Sequence, residues 1–196
     1  LVAMAQSDIK RLLGYSTIAH AGYIMVGLAA VASGTPEGEE TLGPGGVLFY
    51  LAAYAATNLA AFFVVIAVAN EVGSELIDDF AGMGQRAPIL AIVLTVALLS
   101  LIGIPPTAGF MAKIYIFNAA VSSGLVWLVL VGVINSVVSA YYYLRIIRTM
   151  YLVPAPSPEG VPSTLALRLA FTVTAVIVPA VGIFPAPLSE MATRAA

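Results

Sequence analysis

The sequence contains no cysteine, a single histidine and a single tryptophan, and only 9% of its 196 residues are charged. Each shortage excludes something. Without thiols there are no disulfides, no cysteine nucleophile and no thiolate-held iron–sulfur cluster. One histidine, His20, cannot build a metal or haem site alone. An ordinary soluble domain carries about a quarter of its residues as charges, so the deficit also excludes that class. The net charge of −2 comes with no basic run of the kind that binds nucleic acid. Every aspartate and glutamate falls outside the apolar runs.

What remains is apolar: 61% of the residues are hydrophobic and the mean hydropathy is +1.02. This predicts an all-α polytopic membrane protein, with residues 1–196 forming a single membrane domain in the lipid bilayer. About 20 apolar residues cross a hydrocarbon core of roughly 30 Å. Five spans are expected, over 12–32, 47–69, 88–122, 124–152 and 164–184. Between them lie the charged turn 6–11, the acidic Gly/Pro-rich loop 33–46, and the loop 70–87. In that last loop Leu76, Ile77 and Phe80 suggest a short interfacial helix, and its carboxylates Glu71, Glu75, Asp78 and Asp79 read as a solvated face. A proline-rich linker covers 153–163. The opening residues Leu1 to Ala5 read as the end of an earlier helix, so a longer polytopic protein is expected.

The chain is organised around LLSLIGIPPTAGFMAKIYIF, residues 98–117. Gly103, Pro105, Pro106 and Gly109 interrupt an otherwise continuous apolar run, and adjacent prolines cannot continue a helix. The helix entering at Pro88 should open near Ile104 and restart near Thr107. At membrane depth an opened backbone is tolerated only where protein or a water-filled cavity satisfies its carbonyls. Lys113 follows the break, nine residues before Ser122 and so roughly 14 Å from the surface. A lysine there either snorkels to the outer interface or, kept beside a broken helix, marks an ion or proton pathway.

His20 lies roughly 12 Å into the first span, where an imidazole serves either as a relay or as a cross-helix hydrogen-bonding group. Tyr50, Tyr54 and Asn58 recur at steps of four on the second span. They form a polar stripe that suits either a hydrogen-bonded relay or interhelical packing. Lys10, Arg11, Arg86, Arg145, Arg148 and Arg168 fall on one side of the five-span topology and Arg194 on the other. This predicts a cytoplasmic N-terminal end and an outside C-terminus.

Three long segments, QSDIKRLLGYSTIAHAGYIMVGL, LSLIGIPPTAGFMAKIYIF and VINSVVSAYYYLRIIRTMYL, resemble in order the tenth, twelfth and thirteenth helices of the antiporter-like membrane subunits of respiratory complex I, the proton-translocating NADH:quinone oxidoreductase. Two of the three related subunits carry histidines and a lysine where Tyr50, Tyr54 and Asn58 stand here, so the resemblance is to the subunit N branch. It implies the C-terminal part of a fold of about fourteen helices. It further implies Lys113 as the proton-carrying lysine of the second broken helix, Pro105 at its break, and His20 near the hydrated axis. Lys10 matches a recurrent lysine of structural or proton-uptake role. Other membrane-arm subunits are the implied partners, and flavin, iron–sulfur clusters and quinone are expected on other subunits, with no cofactor on this chain. The alternatives are a subunit of a multisubunit sodium/proton antiporter, which shares the fold, and a structural membrane-arm subunit that does not pump.

Overall fold

The computed structural model describes residues 2–34, 42–155 and 176–195. Among these the secondary structure is helical, apart from an isolated bridge between Asp8 and Leu76. A 3-10 turn over Val2–Ala5 leads into α1, Ile9–Ser33. Asp8 starts α1 by holding extended backbone angles while its carboxylate accepts from the Arg11 N–H at 2.9 Å.

Helix α2, Leu42–Val72, begins five residues earlier than its apolar run. Gly43, Gly45 and Gly46 are helical rather than loop because they serve close approach. Gly43 lies against Val31 and Gly46 against the backbone of Tyr115. The rest of the expected acidic loop, residues 35–41, lies outside the described residues.

Between α2 and the broken span run a 3-10 turn, Ile77–Phe80, and a single helical turn, α3, Met83–Arg86. The expected interfacial helix is instead a plug. Ile77, Phe80 and Met83 are fully buried in the bundle, while Leu76 is exposed. The reason is a strap to the start of α1. Ile9 N–H donates to Glu75 O at 2.9 Å, Ile77 N–H donates to Ser7 O at 2.8 Å, and the Glu75 carboxylate pairs with Lys10. Glu75 is therefore not merely solvated, and Asp79 likewise accepts from the Ser74 hydroxyl.

The broken span is α4, Pro88–Ile102, and α5, Ala108–Ser122. After Gly124, whose φ of 76° turns the chain, α6 runs over Val126–Leu152. The described part of the expected last span is α7, Val176–Ile183, which bends by 81° into α8, Ala186–Ala195. Residues 156–175, which hold Arg168 and most of the proline-rich linker, lie outside the described residues. Helices α1, α2 and α6 are each long and apolar enough to cross a membrane. Their outer faces, such as Ile18 and Met25 on α1 and Trp127, Ile134 and Val137 on α6, are apolar and exposed, as lipid-facing or partner-facing surfaces are.

Two apolar cores result. One gathers Leu12, Leu13, Val64, Leu94, Leu98 and Ile146 with the plug residues. The other gathers Val26, Phe49, Ala112, Ile116 and Ala119. Along α1, Ser16 and His20 fall between the stretches that feed the two cores. The same holds on α2, where Thr57 follows Phe49 and precedes Val64.

Candidate proton-transfer site

The site begins with the helix break. An α-helix leaves its last four carbonyls without intrahelical partners, and at the end of α4 those belong to Leu99, Ser100, Leu101 and Ile102. Gly103, in the left-handed region at φ 90° and ψ 46°, closes a Schellman motif. Ile104 N–H donates to Leu99 O and Gly103 N–H donates to Ser100 O, both at 3.0 Å. Two carbonyls are left over. Lys113 takes both, its Nζ lying 2.6 Å from Ile102 O and 3.3 Å from Leu101 O. The ammonium thus sits at the negative end of α4, where a helix favours positive charge. The freed carbonyls expected at the break are satisfied by the lysine itself.

The third Nζ donor reaches Ser136 Oγ on α6 at 3.0 Å, and the ammonium lies 4.7 Å from the centre of the Tyr23 ring. Lys113 is 6% exposed, and among the described residues it has no ion pair.

Pro105 and Pro106, joined by a cis peptide bond, cross from α4 to α5. Ser100 then reaches over the break, its Oγ accepting from Gly109 N–H at 3.0 Å. Gly109 must be glycine, because a Cβ there would fall on the Ser100 carbonyl. From Ser100 the bonding continues to Thr57 Oγ1 at 3.1 Å and from Thr57 to Ala53 O at 2.8 Å. One direction satisfies every group: Gly109 N–H donates to Ser100, Ser100 to Thr57, and Thr57 to the carbonyl.

His20 is buried on the neighbouring face of α1. Its Nδ1 lies 2.6 Å from the Tyr50 hydroxyl, with donor and acceptor set by the tautomer. Its ring stacks on Tyr54, with centres 4.6 Å apart, and the Tyr54 hydroxyl donates to Thr17 Oγ1 at 2.9 Å. His20, Tyr50, Tyr54, Thr57, Ser100 and Lys113 line one cavity with room for roughly one water.

The structure therefore brings Lys113, His20, Tyr50, Tyr54, Gly103 and Gly109 together. It does not bring in Asn58 or Lys10. The Asn58 Oδ1 is buried without a hydrogen-bond partner among the described residues, as is the Tyr143 hydroxyl. Lys10 is held by Glu75 at the bundle end.

Sequence reasoning missed Ser100, Thr57, Tyr23, Asn135 and Ser136 as site residues. For the last two a signal existed: Asn135 and Ser136 are adjacent polar residues inside the apolar run of α6, a costly placement at membrane depth. Asn135 Nδ2 donates to the Tyr23 hydroxyl at 3.1 Å, and that hydroxyl lies 2.8 Å from Ser136 Oγ and 3.2 Å from Gly132 O.

Residues 1–139 match the model of a family described as NADH:quinone oxidoreductase/Mrp antiporter, transmembrane. The chain belongs to this family. A curated relative from Desulfitobacterium hafniense, named NADH-quinone oxidoreductase subunit N, is 42% identical over 204 residues, covering 100% of this chain and 41% of the relative. Among solved structures, a chain of respiratory complex I from Thermus thermophilus superimposes with a TM-score of 0.77 at 30% identity, over 96% of this chain and 41% of that one. A chain of the membrane-bound sulfane sulfur reductase, an archaeal respiratory membrane complex, gives a TM-score of 0.86 at 30% identity, over 100% of this chain and 38% of that one. The chain thus spans about 40% of the length of the antiporter-family relatives it matches. The fold class is that of antiporter-like membrane subunits, and the protein is an integral membrane protein.

Proposed function

We propose that this chain is part of a subunit N of a proton-translocating NADH:quinone oxidoreductase, working in the membrane arm, with Lys113 as a proton carrier. The names of its relatives support the assignment to that enzyme. The observation that carries the chemistry is the seating of Lys113, a buried amine held by three neutral acceptors at a helix end. Such a group is stabilised as a cation by the helix terminus, yet among the described residues nothing of opposite charge fixes its proton there. Redox chemistry elsewhere in the enzyme alters the field along the arm, and a change equivalent to about 1.4 kcal/mol shifts the proton's occupancy tenfold.

Protons reach Lys113 from the one-water cavity, with His20 and Tyr50 as the donor pair and Tyr54 ordering the imidazole. Asn58 and Lys10 stand outside this cavity, Lys10 fastening the start of α1 to the Glu75 carboxylate. The flavin, iron–sulfur clusters and quinone belong to other subunits, since this chain offers no thiolate and one imidazole. The membrane is the bacterial cytoplasmic membrane. Six basic residues to one put the N-terminal end of the chain inside and its C-terminus outside. Arg145, donating to the Gln6 backbone carbonyl, and Lys10, at the start of α1, lie at one end of the bundle in support of that placement.

The family description also covers the Mrp antiporter, so a sodium/proton antiporter is the second reading. Extraction of the full-length protein from native membranes in mild detergent separates the two. A large particle with flavin, iron–sulfur absorbance and quinone reduction is expected. A small cofactor-free assembly that exchanges sodium for protons would establish the antiporter instead. In the large particle, Lys113→Ala should abolish proton translocation with assembly intact, and full translocation by that variant rules out the carrier role.

A further inference from the structure

Lys113 has three hydrogens to give and, among the described residues, three acceptors. Two of these are carbonyls, which accept and never donate. When the ammonium loses a proton it keeps two hydrogens and gains a lone pair. The two hydrogens still serve Leu101 O and Ile102 O, which have no other partner among the described residues. The lone pair needs a donor, and of the three partners only the Ser136 hydroxyl can reverse its role to become one. We propose that Ser136 is the group through which Lys113 releases its proton, and that the Tyr23 hydroxyl takes it from Ser136.

The geometry is continuous. Ser136 Oγ lies 3.0 Å from Nζ and 2.8 Å from the Tyr23 hydroxyl. At rest the Tyr23 oxygen accepts from Ser136 and from Asn135 Nδ2 at 3.1 Å, and its hydrogen points to Gly132 O at 3.2 Å. In the transfer, one N–H bond of Lys113 breaks and Ser136 gains that proton. The former Ser136 proton passes to the Tyr23 oxygen, and the former Tyr23 proton passes to a water molecule. One proton enters and one leaves, and no electrons move. Afterwards Ser136 donates to the neutral amine, so every group is again satisfied.

This release side differs from the cavity shared with His20, which Ser136 does not line. A carrier with separate faces for loading and release has a direction built into its surroundings. Ser136 and Asn135 come from α6, whereas the loading groups come from α1, α2 and α4, and Tyr23 joins the release side from α1.

The proposal rests on Lys113 being a proton carrier, and the test keeps the two claims apart. Lys113→Ala, Ser136→Ala, Ser136→Thr and Tyr23→Phe are made in the full complex, and protons translocated per electron are measured in membrane vesicles with assembly checked. Ser136→Ala and Tyr23→Phe should each lower translocation about tenfold or more. Ser136→Thr, which keeps a hydroxyl, should pump within about twofold of the parent and retain its solvent deuterium effect. A merely structural serine would not show that rescue together with loss in Tyr23→Phe. Full pumping by Lys113→Ala overturns the carrier itself. Loss in Lys113→Ala with parental pumping in both Ser136→Ala and Tyr23→Phe overturns only the Ser136 route. Should Ser136→Ala fail to assemble, Tyr23→Phe decides, because it keeps the ring beneath the ammonium and removes only the hydroxyl.

Discussion

Two lysines in this chain live under opposite rules. Lys10, at the rim, is about one-third exposed and meets the carboxylate of Glu75. Lys113, in the interior, meets two carbonyls and a hydroxyl. A carboxylate fixes a charge, and the rim lysine accordingly works as a fastener, joining the start of α1 to the loop after α2. Neutral acceptors solvate a charge without opposing its removal. What separates a strut from a carrier is thus the company of the amine rather than its identity.

Replacing each lysine by arginine sharpens that contrast most. Guanidinium keeps the positive charge and its donors but does not deprotonate in proteins. Lys113→Arg should therefore assemble while proton translocation falls by about a hundredfold, whereas Lys10→Arg should pump like the parent in the same vesicle assay. A pumping Lys113→Arg complex would break the comparison outright. Next in size is Gly109→Ala. Its methyl group must push the first turn of α5 away from the Ser100 carbonyl, at a cost of about 1–3 kcal/mol or more, and thermal unfolding in detergent should show the loss as a clearly lowered midpoint.

Further down the scale, His20→Phe keeps a ring against Tyr54 and removes the partner of the Tyr50 hydroxyl. About 1–3 kcal/mol is at stake for a buried hydroxyl left alone, and the variant should slow translocation several-fold or more with electron transfer less affected. A parental rate would remove His20 from the loading side. The smallest effect belongs to Glu75→Gln. A partly exposed ion pair contributes about 0–1 kcal/mol, so stability should change little and pumping not at all. A pumping defect in Glu75→Gln would move the rim into the proton path.

Much of this was legible in the chain. Gly103, Pro105 and Pro106 announce the break by backbone chemistry alone, and the depth of Lys113 follows from counting residues. The partners of Lys113 were not legible. Which carbonyls remain free depends on the Schellman closure at Gly103 using up the other two, and Ser136 arrives from a helix that sequence spacing cannot dock. The stripe of Tyr50, Tyr54 and Asn58 was visible as a pattern, yet its members part company in the fold. A step of four residues overshoots a helical turn by about 40°, so Asn58 is turned roughly 80° from Tyr50. Tyr50 consequently faces His20, Tyr54 lies across the imidazole, and Asn58 faces neither. The plug Ile77–Phe80 was misplaced to the interface because its burial is set by the strap to Ser7 and Ile9, a contact between segments far apart in sequence.

The cavity between His20 and Lys113 has room for roughly one water. A passage with a single seat is either filled or empty, so it behaves as a valve whose open fraction follows the activity of water. Turnover in this half of the protein should then respond to osmotic stress. A solute too large to enter the bundle would throttle proton flow by drawing that water out, with every side chain still in place.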